Sequence, residues 1–147
     1  GSRGLGDVYK RQGTRLSEPI RFLTNVNKKH TTSFILSDFM DAPSDDADLA
    51  DALKIAGSRH DLVGIRVYDP REQTLPDVGI VEMKDAETGR KVWVDTSSRR
   101  VRDHYAASWQ RRSGEIEAML KHNRIDTAMI STDGDYVAEL IKLFKQR

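Results

Sequence analysis

The sequence predicts one α/β domain, three-layered and doubly wound around a mainly parallel sheet, incomplete at its N-terminus and carrying one β-hairpin insertion. Three observations point there. Short apolar, β-branched segments at 31–36 (TTSFIL), 61–68 (DLVGIRVY) and 125–131 (IDTAMIS) read as buried strands. Helical repeats fill the gaps between them, and strands joined by helical crossovers pair most naturally in parallel. A turn-rich string at 85–89 (DAETG), between 78–83 and 91–94, marks an antiparallel hairpin expected to extend one sheet edge.

In chain order, residues 1–12 (GSRGLGDVYKRQ) show neither period, lack an initiator Met and a signal-peptide core, and are set aside as a leader of non-native character. The domain proper is read as 13–147. Ser17 caps a short helix whose Ile20, Leu23 and Val26 share a face. After the first strand and the loop 41–46 (DAPSDD), a helix runs from about Asp46 to a stop at Gly57, with Ala47, Leu49, Ala50, Leu53 and Ala56 at helical spacing. The second strand ends at Asp69-Pro70. The longest helix, about 98–122, carries the stripe Val101, Tyr105, Trp109, Ile116, Met119 and Leu120, opposed by charged Arg111, Arg112 and Glu115. The third strand leads to a last helix, capped by Thr132 or Asp133, whose Tyr136, Val137, Leu140, Ile141 and Phe144 face inward.

Composition excludes several functions. Lys and Arg number 24 against 23 Asp and Glu, so a net charge of +1 supplies no field to steer nucleic acid or an anionic membrane. The absence of cysteine removes disulfides, thiolate metal sites and thiol nucleophiles, and suits a reducing, cytoplasmic setting. No apolar run approaches the roughly 20 residues of a membrane span. No Gly-x-Gly-x-x-Gly, Gly-Lys-Ser/Thr or Gly-x-Ser-x-Gly string is present for phosphates or a serine nucleophile.

Ligands of an open parallel sheet bind beyond the carboxyl ends of its strands, which singles out Ser37, Asp38, Asp69 and 131–133. A carboxylate such as Asp38, ending an apolar strand, either caps the next loop or holds a cation. Asp41, Asp45 and Asp46 behind it read as a solvated loop and helix cap, with a hard cation such as Mg²⁺ as the alternative. His30, His60, His104 and His122 lack zinc-site spacing and read as structural or solvent-facing. Arg99, Arg100 and Arg102 read as a solvated basic face. A metal-dependent hydrolase or nuclease would gather Asp38, Asp41 and Asp133 around one or two Mg²⁺ ions.

The strings at 31–41 (TTSFILSDFMD), 60–81 (HDLVGIRVYDPREQTLPDVGIV), 85–95 (DAETGRKVWVD) and 131–137 (STDGDYV) together resemble the C-terminal half of domain-of-unknown-function family 58, over residues 13–147. The resemblance implies a bacterial von Willebrand factor A-like, Rossmann-like domain that binds protein partners, acts beside a MoxR-type AAA+ ATPase in complex remodelling or maturation, and is not an enzyme. It further implies a metal-ion-dependent adhesion site holding Mg²⁺ through an Asp-x-Ser-x-Ser loop, a Thr and a later Asp. Asp38 matches the last element and Thr14 resembles the second. The first is absent, the nearest string being Asp95-Thr96-Ser97-Ser98-Arg99, so the chain carries part of a site and is expected to lack the leading strands. Strand edges left open in this way are expected to self-associate.

Overall fold

The computed structural model of the protein describes residues 15–26 and 28–146. Helix α1 (Ser17–Val26) precedes strand β1 (Thr32–Ser37), followed by a 3-10 turn (Pro43–Asp45), α2 (Asp46–Arg59) and β2 (Asp61–Tyr68). A helical turn, α3 (Pro70–Gln73), leads to the hairpin β3 (Ile80–Lys84) and β4 (Lys91–Asp95). The long α4 (Arg99–His122), β5 (Asp126–Ser131) and α5 (Tyr136–Lys145) complete the chain. Among the described residues no helix is long and apolar enough to cross a membrane.

The three core strands form a parallel sheet in the order β1-β2-β5, with Ser37 opposite Arg66 and Tyr68 opposite Ser131. Central β2 is buried without a break from Leu62 to Arg66, because both of its faces are covered. Alternation along the strand sends Leu62, Gly64 and Arg66 to one face and Val63 and Ile65 to the other. On the first face Leu49, Leu53 and Ala56 of α2 and Trp109, Ile116 and Leu120 of α4 form one apolar cluster, which Ile20 of α1 joins. Each such aliphatic side chain contributes about 1.5–3 kcal/mol. Both crossover helices lie on this face, as two right-handed crossovers taken in one direction require. On the second face, among the described residues, α5 alone packs, with Leu143 and half-buried Leu140 against Val63, Ile65 and Ile130.

One close approach fixes the end of β1. Phe39, 1% exposed, adopts φ 58 in the left-handed region, an uncommon conformation for a bulky residue. Its ring lies over Gly64, where a Cβ would come within 3.3 Å of Phe39 Cζ. The glycine makes room for the ring, and the buried ring offsets the strained turn.

The structure corrects several expectations. Ser17 does not cap α1: it is its first residue, buried, and its Oγ donates to Asp48 Oδ2 at 2.5 Å. Val26 faces solvent, and Thr24 takes the buried position instead. Helix α2 passes Gly57 and ends at Arg59, burying Ala52 where Ala47 had been assigned. The hairpin is a separate two-stranded sheet and does not extend the parallel one. Arg112, assigned to the charged side of α4, is buried, because it falls three residues after Trp109 and four before Ile116 on the same face. The last helix is capped by Asp135, whose side chain accepts from the Ala138 backbone, and among its apolar residues Leu143 is buried while Tyr136, Val137, Ile141 and Phe144 are exposed.

Candidate functional site

The carboxyl ends of the parallel strands come together on one edge of the molecule. At the end of β1 the chain turns through two side-chain-to-backbone bonds: Ser37 Oγ accepts the Phe39 N–H at 3.0 Å and Asp38 Oδ1 accepts the Met40 N–H at 2.9 Å. Short polar side chains compete for backbone donors in this way wherever a strand stops. The free oxygen of Asp38 meets Lys84 Nζ of the hairpin at 3.5 Å, with both side chains partly exposed. Asp38 thus caps its loop, the first of its two sequence readings, and its other oxygen faces an ammonium group of the chain itself.

The other carboxyl-end residues are tied locally. Asp69 caps α3 through the Arg71 N–H at 2.9 Å and is gripped by the Arg71 guanidinium, which holds its carboxyl below the usual range. At the end of the far edge strand, Ser131 Oγ donates to Asp133 of the following turn. Asp41 accepts the Leu16 N–H at 2.8 Å, and burial pushes its carboxyl up. Asp45 stands 3.9 Å from Arg15. Asp46 receives both terminal nitrogens of Arg112 at 2.6 Å, and that same guanidinium donates to Asp41 O at 2.9 Å. A buried, bidentate arginine therefore clamps the loop after Asp38 to α4.

These bonds decide what the edge can hold. Asp38 and Asp41 are close enough for their charges to interact, but Asp133 lies just past the end of the opposite edge strand, with β2 between. Among the described residues no group of three or more His, Cys, Asp or Glu side chains is placed to hold a metal ion. Thr14 lies outside the described residues. With Lys84 already in a cationic position beside Asp38, the described side chains alone do not fit Mg²⁺. The string after β4 is structural: Asp95 accepts from Ser97 Oγ at 2.6 Å, Ser98 caps α4, and buried Thr96 donates to Gly79 O at 2.5 Å.

The remaining candidates are also structural. His60 is buried, its Nδ1 accepting the Thr31 N–H at 3.1 Å, while His30, His104 and His122 are exposed. Arg99 and Arg100 are exposed, and Arg102 donates to Thr96 O at 2.7 Å.

Four side chains that the sequence reading did not assign to the site surround Asp38. Glu72 of α3, Arg66 of β2, Trp109 of α4 and Met129 of β5 line one narrow hollow with it, too tight in this structure to admit a water molecule. Burial first, then the charges of Asp38 and Asp69, push the Glu72 carboxyl up. The Trp109 indole N–H lies toward Glu72 without reaching hydrogen-bond geometry. One signal for this group was visible: Arg66 is a charged residue inside an apolar run, where a charge needs a reason.

Comparison with known proteins adds relatives without an established activity. The family model described as "Protein of unknown function DUF58" matches residues 8–115, its first residues falling within the segment 1–12. An uncharacterized protein of Mycobacterium avium is 27% identical over 134 residues, covering 90% of this chain and 75% of the relative. Uncharacterized proteins of Mycobacterium bovis and Mycobacterium tuberculosis are each 26% identical over 134 residues, with the same 90% of this chain but 40% of theirs. The chain thus spans less than half the length of these two. No solved structure matches it.

Proposed function

The chain belongs to the DUF58 family of proteins of unknown function, and from that premise we propose that it is a von Willebrand factor A-like protein-binding module that meets its partner at the carboxyl edge of its parallel sheet. The observation that carries this reading is the setting of Asp38. It is a partly exposed carboxylate at the end of an apolar strand, paired with Lys84 from another element and bordered by a hollow with buried donors. Ligands of open parallel sheets bind at this edge. The fold alone does not supply a function, so the weight rests on the residues.

The partner in this reading is a MoxR-type AAA+ ATPase in a cytoplasmic setting, and the role is binding in complex remodelling, not catalysis. Mg²⁺ belongs to the proposal only for a complete site, where hydroxyl and carboxylate oxygens would hold it and it would supply a positive charge for the partner. In this chain Asp38 and Thr14 would be its ligands. The chain's own residues do the rest: Ser37 and Phe39 hold the turn, Lys84 orients the carboxylate, and Arg112 fixes the loop behind it.

Calorimetric titration of this chain with a MoxR-type ATPase, once with Mg²⁺ and once with EDTA, tests the reading. Wild-type protein should bind, and Asp38→Asn, which keeps an acceptor for the Met40 N–H, should weaken binding at least about tenfold, a loss of about 1.4 kcal/mol, with a nearly unchanged melting temperature. Equal binding by the variant removes this edge from the interface. No binding by the wild type under either condition removes the ATPase.

A further inference from the structure

We propose that the β3–β4 hairpin is a strap that carries Lys84 into the cation position beside Asp38, so that an ammonium of the chain itself keeps a divalent ion off that carboxylate. This rests on the reading of Asp38 as the residue that the carboxyl edge presents, and it adds what controls access to it.

The hairpin is placed by contacts outside itself. It joins no other sheet, and two strands alone are marginal in water. Its turn is held at two points instead. Gly89, at φ 73, lies so close to the loop after β1 that a Cβ there would come within 3.2 Å of Ala42 N. Two residues earlier, Glu87 accepts from Arg111 Nη2 of α4 at 2.7 Å. Lys84 is the last residue of β3, immediately before this turn, and its Nζ reaches Asp38 Oδ2 at 3.5 Å.

The surroundings of that ammonium are acidic. Asp38 Oδ1 is taken by the Met40 N–H, which leaves Oδ2 as the outward oxygen. Burial raises the carboxyls of Asp41 and Glu72, and the Lys84 charge acts on both in the opposite sense. Lys84 therefore serves three carboxylates, two from the turn and loop after β1 and one from α3.

The neighbouring lysine shows that the placement is particular. Lys91 stands directly opposite Lys84 in the hairpin, and like charges so placed repel. Each is offset by a different acid: Lys91 Nζ lies 3.8 Å from Glu82 within the hairpin, whereas Lys84 reaches out of it to Asp38. An exposed ion pair of this kind adds little to stability, but excluding a metal does not require that it should. The ammonium is a compact point charge with three donors. Oδ2 cannot serve both it and a metal ion, and two positive charges a few ångströms apart repel.

Paramagnetic Mn²⁺, with no partner present, tests the strap. The isotope-labelled chain is titrated with Mn²⁺ while the amide resonances of Phe39 and Met40 are compared with those of α5. In Lys84→Gln the Phe39 and Met40 signals should broaden selectively at roughly one tenth of the Mn²⁺ concentration that the wild type requires, as expected for removing a unit charge beside a divalent ion. Lys84→Arg should respond as the wild type does. So should Lys91→Gln, which removes the same charge from the same strand pair. Adding Asp38→Asn to Lys84→Gln should abolish the selective broadening. Equal responses of the wild type and Lys84→Gln, with or without selective broadening, overturn the proposal. A gain in Lys91→Gln as large as that in Lys84→Gln overturns it too, as does broadening that survives Asp38→Asn. Because no ATPase is present, the outcome is independent of whether this edge binds one.

Discussion

The two faces of the parallel sheet are covered unequally. On one face α2 and α4 lie side by side, and the cluster from Leu49 to Leu120 is closed to solvent. On the other, among the described residues, the ten-residue α5 stands alone. Leu143 is buried beneath it, while Leu36 is 61% exposed and Phe34 and Phe144 meet edge to face at 4.9 Å with both rings partly in water. The difference follows from topology: three strands wound in one direction send their crossovers to one side, and only the helix after the last strand returns to the other. Stability is therefore concentrated on the thick face, and unspent apolar surface on the thin one.

The sharpest way to break that comparison is to remove equivalent leucines. Leu53→Ala on the thick face should cost about 3–5 kcal/mol, because the closed cluster around it cannot collapse into the void, whereas Leu143→Ala should cost about 2 kcal/mol, since α5 is free to settle. Urea unfolding measures both, and equal losses would show the faces to be equally consolidated. A smaller effect is expected at the exposed edge. Strand β1 is an edge strand with no charged residue, no proline and no bulge, so copies of the chain are expected to associate through it. Leu36→Lys should lower the sedimentation coefficient at high concentration while leaving the urea midpoint nearly unchanged. A wild-type coefficient that does not vary with concentration would remove the edge as a contact.

The smallest effect is electrostatic and belongs to the rim of the thick face. Burial raises the Asp41 carboxyl above its ordinary 3.8, so the folded state holds that proton more firmly than the unfolded chain does. The associated stability is full below the ordinary value and is lost as pH rises through the elevated one. Asp41→Asn, which keeps an acceptor for Leu16, should flatten stability against pH from about 4 upward. An unchanged slope in urea melts at several pH values would assign it to other groups.

Much of the thick face was legible in the sequence because its signals are local. Residues 61–68 are a short apolar, β-branched run ended by Asp69-Pro70, and the strand occupies those residues; Leu49, Leu53 and Ala56 recur at helical spacing and are buried. The thin face was misread for the same reason. Periodicity shows that α5 has an apolar side, but not whether anything covers it, and so Val137, Ile141 and Phe144 were placed inside. The candidate site was legible only at Asp38, marked by its strand. Glu72, Lys84 and Trp109 arrive from three other elements, and only tertiary folding brings them to Asp38. Arg66 and Arg112 were missed because a charged residue is read as exposed by default, although each lies in register with buried neighbours.

The ring of Phe39 over Gly64 has a consequence for how such a chain can diverge. The turn that presents Asp38 is seated on the middle of the central strand through a tight contact, so positions 39 and 64 are coupled. A side chain at 64 would require the ring at 39 to give by a few tenths of an ångström, and a smaller residue at 39 would relieve that demand. In a set of diverged sequences the presentation of Asp38 would then be traced less by the aspartate itself than by whether this distant pair has drifted together.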